Sequence, residues 1–172
     1  MAHKTLAILG GSVLATLLTS APLRAAVDAH TDSFVCPVTI VDGGRSVAYA
    51  NDSLEVVLWP ESKFIFKPDG PGFIDQDGAL GMKVGWWRFR QGHLQIRGRR
   101  LDGDAGPARA YIYDYGDAGF QPIYLVFPTP GCWEITGSVA GSSLTFVTLV
   151  EKIGEGPRSR LNGPPRGWRV SQ

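Results

Sequence analysis

The sequence predicts an all-β protein, an Ig-like antiparallel β-sandwich that forms a single domain closed by one disulfide. Three observations support this prediction: short runs rich in β-branched and aromatic residues, Gly- and Pro-rich turns between them, and two cysteines in the chain. Evenly spaced short strands with Gly and Pro turns are typical of sandwiches and barrels. Outside the first 25 residues we find no amphipathic helix of useful length and no internal repeat.

The first 25 residues have the pattern of a secretory signal peptide. Lys4 supplies a positive charge, and the uncharged apolar stretch 6–18 follows it. This stretch is shorter than the roughly 20 residues that a bilayer-spanning helix needs. We expect cleavage after Ala25, or as late as Ala29, and the alternative is an uncleaved membrane anchor. The mature protein is then exported, either periplasmic or extracellular, with no membrane span.

The charge balance changes when the signal is removed. Of 17 basic residues Lys4 and Arg24 are lost, which leaves 15 basic against 16 acidic residues and a formal net charge of −1. A general nucleic-acid-binding protein needs an excess of basic charge, so we expect no nucleic-acid partner. The mature chain is long enough for one domain with a real core, which we place at residues 34–153.

Nine runs of the sequence fit strands, because they alternate apolar with polar residues or are rich in Val, Ile, Thr, Phe, Tyr and Trp. Short segments with Asp, Gly and Pro separate them, and these are the residues that tight turns require. The predicted strands are 34–41, 54–59, 63–66, 86–89, 93–97, 110–115, 123–127, 133–139 and 144–150.

Residues 86–97 look like a hairpin with one exposed face. We expect Trp87, Phe89, Leu94 and Ile96 to face the core. An aromatic ring beside guanidinium groups can bind anionic or sugar-like ligands through cation–π contacts. The alternative is a surface ladder that arginines keep soluble. The predicted binding face consists of Trp86, Arg88, Arg90, His93, Gln95 and Arg97.

A second aromatic strip lies at Tyr111, Tyr113 and Tyr115, which alternate with other residues in the strand 110–115. Alternate residues of a strand point to the same face of a sheet. The three tyrosines form either an exposed aromatic strip or a cover over the other sheet, and the sequence leaves both open.

The last two predicted strands separate a core face from a second face. Trp133 and Ile135 share one face, and Leu144 and Phe146 share a face of the next strand. Cys132 must point the other way from Trp133. We therefore expect Cys132 outside the centre of the core, unlike the second cysteine of an antibody domain, which is buried mid-strand.

Cys36 and Cys132 are expected to form a disulfide, because an exported chain meets an oxidising compartment. The bond would fasten the N-terminal segment to the start of the penultimate strand. It would close a loop of 96 residues (132 − 36), which the chain-entropy model values at about 4–5 kcal/mol. The alternative is two free thiols.

The C-terminal segment 154–172 changes composition, with three prolines and four arginines among its 19 residues. We expect a basic, disordered tail. It either contacts anionic envelope polymer or lipid, to which basic segments are attracted, or is simply solvated.

Motifs for catalysis are absent from the mature sequence. It holds His93, and His30 if cleavage is early, which excludes multi-histidine zinc and copper sites. No Gly-x-Ser-x-Gly, Walker A or Gly-x-Gly-x-x-Gly motif is present. We expect no enzymatic activity, no cofactor and no metal.

Acidic residues leave two alternatives open. The turns at 75–78, 102–104 and 114–117 carry Asp side chains that could bind calcium, although none completes an EF-hand loop. Asp and Gly are also ordinary turn residues. A carboxylate-dependent hydrolase would draw on the glutamates Glu55, Glu61, Glu134 and Glu151.

Several segments carry a family resemblance, including CPVT (36–39), VLWP (57–60), DGALGMK (77–83) and FPTPGCWEITG (127–137). Over most of residues 36–150 the chain resembles a group of uncharacterised exported bacterial proteins. The GCWE segment is its most specific part. The resemblance implies an Ig-like or fibronectin-like sandwich and implies no activity.

Three functional hypotheses follow. The favoured one is an exported, non-enzymatic module that binds another protein or a cell-envelope polymer. The second is a small secreted inhibitor or accessory subunit that acts on an exported enzyme through its loops. The third is the carboxylate-dependent hydrolase.

Overall fold

The computed structural model describes residues 34–41, 47–159 and 167–171. The expected signal peptide, 1–25, and both cleavage positions lie outside these residues. All described residues belong to one compact unit, Phe34–Gln172. None of the helices in the described part of the chain is long and apolar enough to cross a membrane.

The described residues form an all-β fold with one short 3-10 turn and no α-helix. The turn, Pro60–Ser62, lies between the second and third strands. The strands are β1 Val47–Ala50, β2 Leu54–Leu58, β3 Lys63–Phe66, β4 Phe73–Ile74, β5 Leu80–Arg88, β6 Gln95–Arg100, β7 Arg109–Tyr113, β8 Gly119–Phe127, β9 Gly131–Val139, β10 Ser142–Lys152 and β11 Trp168–Ser171.

These strands form two sheets. The large sheet has the order β1-β2-β5-β8-β7-β11, and β4 also pairs with β5. The small sheet has the order β3-β10-β9-β6. The pairing of β3 with β10 is parallel, whereas the others are antiparallel. The predicted all-β, two-sheet character is therefore confirmed.

One hydrophobic core lies between the two sheets. The Trp86 ring of the large sheet lies 6.1 Å from the Phe146 ring of the small sheet, measured between centroids. Phe127 and Trp133 make a second such contact at 5.7 Å. Gly137 leaves the space for Trp86, because a Cβ there would lie 2.4 Å from the indole. Close packing across this space removes large aromatic surfaces from water, which is the main driving force for folding.

The disulfide between Cys36 and Cys132 is present, with a Cα–Cα distance of 5.5 Å. It lies on the side of β9 that faces away from the core, as the alternation with Trp133 predicts. The segment before β1 runs beside β10, where the Thr39 N–H donates to the Val147 carbonyl at 2.9 Å. The Val147 N–H donates in return to Thr39 Oγ1 at 2.8 Å.

Most of the predicted strands coincide with observed ones, but 34–41 forms no strand. The predicted strands missed β1, β4, β11 and residues 80–85 of β5. Glycine weakens strand propensity, and β5 contains Gly81 and Gly85. Composition therefore hid the start of β5, although Leu80, Met82 and Val84 alternate with other residues there.

The predicted hairpin at 86–97 is wrong. β5 pairs with β2 and β8 in the large sheet, whereas β6 pairs with β9 in the small sheet. Trp86 and Arg88 point into the core, with 1% and 2% of their surface exposed. Leu80, Met82 and Val84 are buried on the same side of β5, and they set the register that carries Trp86 and Arg88 inward.

The same register places two predicted core residues outside. Trp87 and Phe89 are exposed, so their predicted burial is wrong. Leu94 and Ile96 are buried as predicted. The wrongly predicted side-chain directions are thus confined to β5 and the residue after it.

The predicted disordered tail is wrong for residues 168–171. They form β11, which pairs with β7 through the register Trp168↔Tyr113. Ser171 reaches the small sheet, where its hydroxyl accepts from the Ile96 N–H at 3.1 Å and donates to the Ile96 carbonyl at 3.0 Å. β11 therefore forms one edge of the large sheet and contacts the edge strand β6 of the small sheet.

Candidate functional site

The outer face of the large sheet carries exposed aromatic rings, and we call it the aromatic face. Trp87 on β5 is 44% exposed and Phe120 on β8 is 43% exposed. The two residues are cross-strand partners, and their ring centroids lie 5.2 Å apart. Gly85 leaves room for this pair, since a Cβ there would lie 3.0 Å from the Phe120 ring. The rings thus form a fixed apolar platform in contact with solvent.

A row of rings continues across the same face. Tyr124 stacks on Trp168 at 5.1 Å, and Trp168 contacts Tyr113 at 5.7 Å. Tyr113 contacts Tyr115 at 5.7 Å, and Phe73 meets Tyr124 at 5.4 Å. Such offset and edge-to-face pairs hold rings in defined orientations.

The tyrosines of β7 divide between the two roles that the sequence left open. Tyr113 is 42% exposed, and Tyr115 is exposed in the following loop. Tyr111 is buried together with Ala79 and Val126 under the ring row. The strip is therefore exposed at Tyr113 and Tyr115 and covered at Tyr111.

A buried polar cluster holds one end of the aromatic face. The Tyr111 hydroxyl donates to the buried Asp75 carboxylate. Arg109 donates to Asp77 at 2.6 Å and lies 3.5 Å from Asp75. Burial, with the hydrogen bond to Asp75, raises the pKa of Tyr111 to about 12. The hydrogen bond from Arg109 lowers the pKa of Asp77.

The acidic turn 75–78 is thus engaged with its own neighbours. Its two carboxylates bind Arg109 and Tyr111 and also accept backbone N–H groups of the turn. Across the described ranges no three His, Cys, Asp or Glu side chains gather in a way that could hold a metal ion. Two of the glutamates considered for hydrolysis form ion pairs, Glu134 with Arg99 at 2.7 Å and Glu61 with Lys63 at 2.6 Å.

The structure separates the six residues of the predicted binding face. Trp86 and Arg88 lie in the core, as described above. Arg90 is exposed beyond β5 and donates to Ser53 Oγ at 2.8 Å. The remaining three are exposed next to or on β6, at the edge of the small sheet: His93, Gln95 and Arg97. The six do not form one surface.

Arg88 is a buried cation held by backbone carbonyls. Its guanidinium donates to the carbonyls of Gly92 at 2.7 Å and Gly116 at 2.8 Å, and it lies 3.3 Å from that of Ala118. Burial lowers the pKa of Arg88. These contacts fasten the β5–β6 and β7–β8 connections to each other, so the role of Arg88 in the structure is that of an internal clamp.

The large sheet has a gap beside β5. β2 leaves β5 after the pair Val56↔Trp86, and β4 pairs with β5 only at Leu80 and Gly81. Among the described residues, 82–85 of β5 have a strand neighbour on the β8 side alone. The gap arises because the chain turns at Trp59 and crosses to β3 in the small sheet.

In the part of the chain that the structure describes, Trp59 lines four cavities, and three of them, of about 170, 280 and 480 Å³, adjoin at this gap. We call these three together the Trp59 groove. The Trp59 ring packs edge-on against Phe64, with centroids 6.4 Å apart. Lys83 and Lys67 line the groove, and both are exposed. The groove therefore combines a held aromatic wall with two ammonium groups.

No protein-family model, no curated protein and no solved structure matches this chain.

The sequence reading missed Phe120 and Trp59 and assigned Trp87 to the core. A signal for Trp87 was present, because Leu80, Met82 and Val84 alternate with small or charged residues. Extending β5 back to Leu80 places Trp87 on the outer side. Trp59 had no such signal, because the gap depends on where distant strands pair.

Proposed function

We propose that this protein is an exported, non-enzymatic binding module that holds a cell-envelope polymer on its aromatic face. The observation that carries the proposal is the exposed ring pair Trp87–Phe120, which shares the outer face of the large sheet with the ring row of β7, β8 and β11. Exposed apolar patches are characteristic of interaction sites. The flat, electron-rich face of an aromatic ring suits the C–H groups of a sugar ring.

Export is part of the proposal. Its supports are the signal-like pattern of residues 1–25 and the Cys36–Cys132 disulfide. Disulfides persist mainly in oxidising compartments such as the periplasm and the extracellular space.

An Ig-like fold is also part of the proposal. Two mainly antiparallel sheets that share one core support it. The disulfide differs from that of antibody domains, because it lies on the outer side of the small sheet and does not link the two sheets through the core.

The test is binding to isolated envelope polymer, with bound protein measured by sedimentation. The double substitution Trp87→Ala/Phe120→Ala removes the ring pair, and we expect at least about a tenfold loss of affinity, since truncating an anchoring aromatic side chain commonly costs about 2 kcal/mol or more. Phe34→Ala is the matched control, because Phe34 is an equally exposed ring on the N-terminal segment. Equal binding by the double variant and the parent would refute the proposal.

A second candidate is an inhibitor or accessory subunit that contacts a partner protein through its loops. Arg88 fastens the two connections that carry Phe89 and Tyr115, and both of these side chains are exposed. Exposed rings on preorganised loops suit a protein partner. Substituting Phe89 by Ala should then abolish a stoichiometric effect on a co-exported enzyme and leave polymer binding unchanged.

A further inference from the structure

We infer that the Trp59 groove binds an acidic sugar residue, so that the polymer held by this protein is an anionic glycan. The inference rests on the proposed function, because it specifies the chemistry of the polymer. It is carried by the gap in the large sheet, by the aromatic wall within it and by the charge around it.

The gap offers backbone hydrogen-bonding groups to a ligand. The Phe89 N–H, just after β5, donates to the Ser53 carbonyl at 3.0 Å. The N–H of Phe89 therefore points to the side of β5 on which β2 lies. Alternate residues of a strand direct their N–H and C=O groups to the same edge. The N–H and C=O of Lys83 therefore point into the gap, where neither β2 nor β4 pairs with them. A sugar hydroxyl can both donate to and accept from such groups.

Trp59 provides a rigid apolar wall. It is half-buried, packs against the hydrophobic core and is held by Phe64. A side chain already ordered in the free protein loses little conformational entropy on binding. The largest of the adjoining cavities, about 480 Å³, falls within the roughly 300–1,000 Å³ of ordinary ligand sites.

The charge of the groove selects an anion. Four cationic side chains line it, and two of them have acidic partners, Lys63 with Glu61 and Arg158 with Asp69. Lys67 and Lys83 make no ion pair with any described residue. Two unneutralised ammonium groups beside an aromatic wall favour a carboxylate-bearing sugar over a neutral one.

The groove also adjoins the aromatic face. Lys83 lies on the outer side of β5, as Trp87 does, and is the cross-strand partner of Tyr124. A single glycan chain can therefore stack on the Trp87–Phe120 pair and place an acidic residue in the groove. This gives the groove the role of selecting the charge of the polymer, while the ring pair supplies contact area.

The experiment is affinity electrophoresis of the exported protein in native gels that contain either polygalacturonate, an acidic glycan, or dextran, a neutral one. We expect retardation by polygalacturonate alone, and weaker retardation at high salt because exposed charges are screened. Lys67→Glu/Lys83→Glu should lower the affinity at least about tenfold. Both side chains are exposed, so the fold should survive, and circular dichroism checks this.

Arg97→Glu is the matched control, because Arg97 is exposed on the small sheet away from the groove. It should bind polygalacturonate like the parent. Equal losses in Arg97→Glu and in the lysine variant would overturn the inference in favour of non-specific charge attraction. Equal competition by poly-glutamate would overturn it in favour of an acidic peptide.

Failure of the inference and failure of the proposed function give different results. If the parent binds isolated envelope polymer through Trp87 and Phe120 but ignores polygalacturonate, the groove inference is wrong and the proposed function stands. If the parent binds neither polymer, both are wrong.

Discussion

The outer faces of the two sheets differ in chemistry although they share the same strand geometry. On the small sheet, cross-strand rows are polar: Arg97 lies opposite Thr136, which lies opposite Thr145. The two threonine hydroxyls are 2.8 Å apart and share a hydrogen bond. On the large sheet, Trp87 lies opposite Phe120, and both rings are exposed.

This difference indicates which face is specialised. The polar rows of the small sheet are what an ordinary solvated sheet face requires. Apolar Val147 on that sheet lies beside the disulfide-fastened segment 36–41. The large sheet keeps rings in solvent at the centre of its face, which the fold itself does not require. The proposed binding function accounts for this exposure.

The largest expected effect on stability concerns the segment 36–41, which lies beside the small sheet. Removing the disulfide with Cys36→Ser/Cys132→Ser releases the segment 36–41 and should lower the free energy of unfolding by about 2–5 kcal/mol. Chemical denaturation measures the loss. If the variant unfolds at the same denaturant concentration as the parent, the segment is not held by the disulfide.

The second largest effect on stability is expected at Arg88, because it holds the β5–β6 and β7–β8 connections together. Arg88→Met leaves the carbonyls of Gly92 and Gly116 without their donor and should cost about 2–3 kcal/mol. Thermal unfolding of this variant is compared with Arg90→Met, whose side chain is exposed and makes one side-chain hydrogen bond. Equal melting temperatures for the two variants would contradict the clamp.

Tyr111 is the buried tyrosine of β7, whereas Tyr113 of the same strand is exposed. The pKa of Tyr111 is raised to about 12 in the folded protein, against about 10 for an unfolded tyrosine. The stability that it contributes is complete below pH 10 and is lost as pH rises through 12. Tyr111→Phe should cost about 1–3 kcal/mol at neutral pH and remove this alkaline transition.

Ultraviolet difference spectra measure that ionisation. The parent should show a tyrosine ionisation step near pH 12 that Tyr111→Phe lacks. Identical titration curves near pH 12 for the parent and for Tyr111→Phe would show that Tyr111 is not held by Asp75.

The smallest effect is expected on the polar rows. Thr136→Val removes one exposed hydroxyl contact and should change the unfolding free energy by less than about 0.5 kcal/mol. It should leave polymer binding unchanged. A clear loss of binding in this variant would place the functional surface on the small sheet.

Regions with uninterrupted patterns were predictable from the sequence. The hairpin of β9 and β10 showed its core face directly, with Trp133, Ile135, Leu144 and Phe146 all buried as expected. The disulfide followed from there being two cysteines in a chain whose first 25 residues have a signal-like pattern. In these regions local alternation agrees with tertiary packing.

The central strand and the site could not be predicted in the same way. Arg88 is buried because backbone carbonyls up to 30 residues away accept its hydrogen bonds. No local sequence pattern predicts such distant partners. The Trp59 groove exists because β2 and β4 stop pairing with β5 at particular residues. Such pairing is non-local, so composition and alternation do not reveal it.

The most direct measurement is hydroxyl-radical footprinting of the protein with and without isolated envelope polymer. The exposed rings of the large sheet and of the N-terminal segment react with the radical, so one experiment compares the aromatic face with a ring outside it. We expect protection of Trp87 and Phe120 and unchanged labelling of Phe34. Unchanged labelling of Trp87 and Phe120 in the presence of bound polymer would contradict the aromatic face as the binding surface.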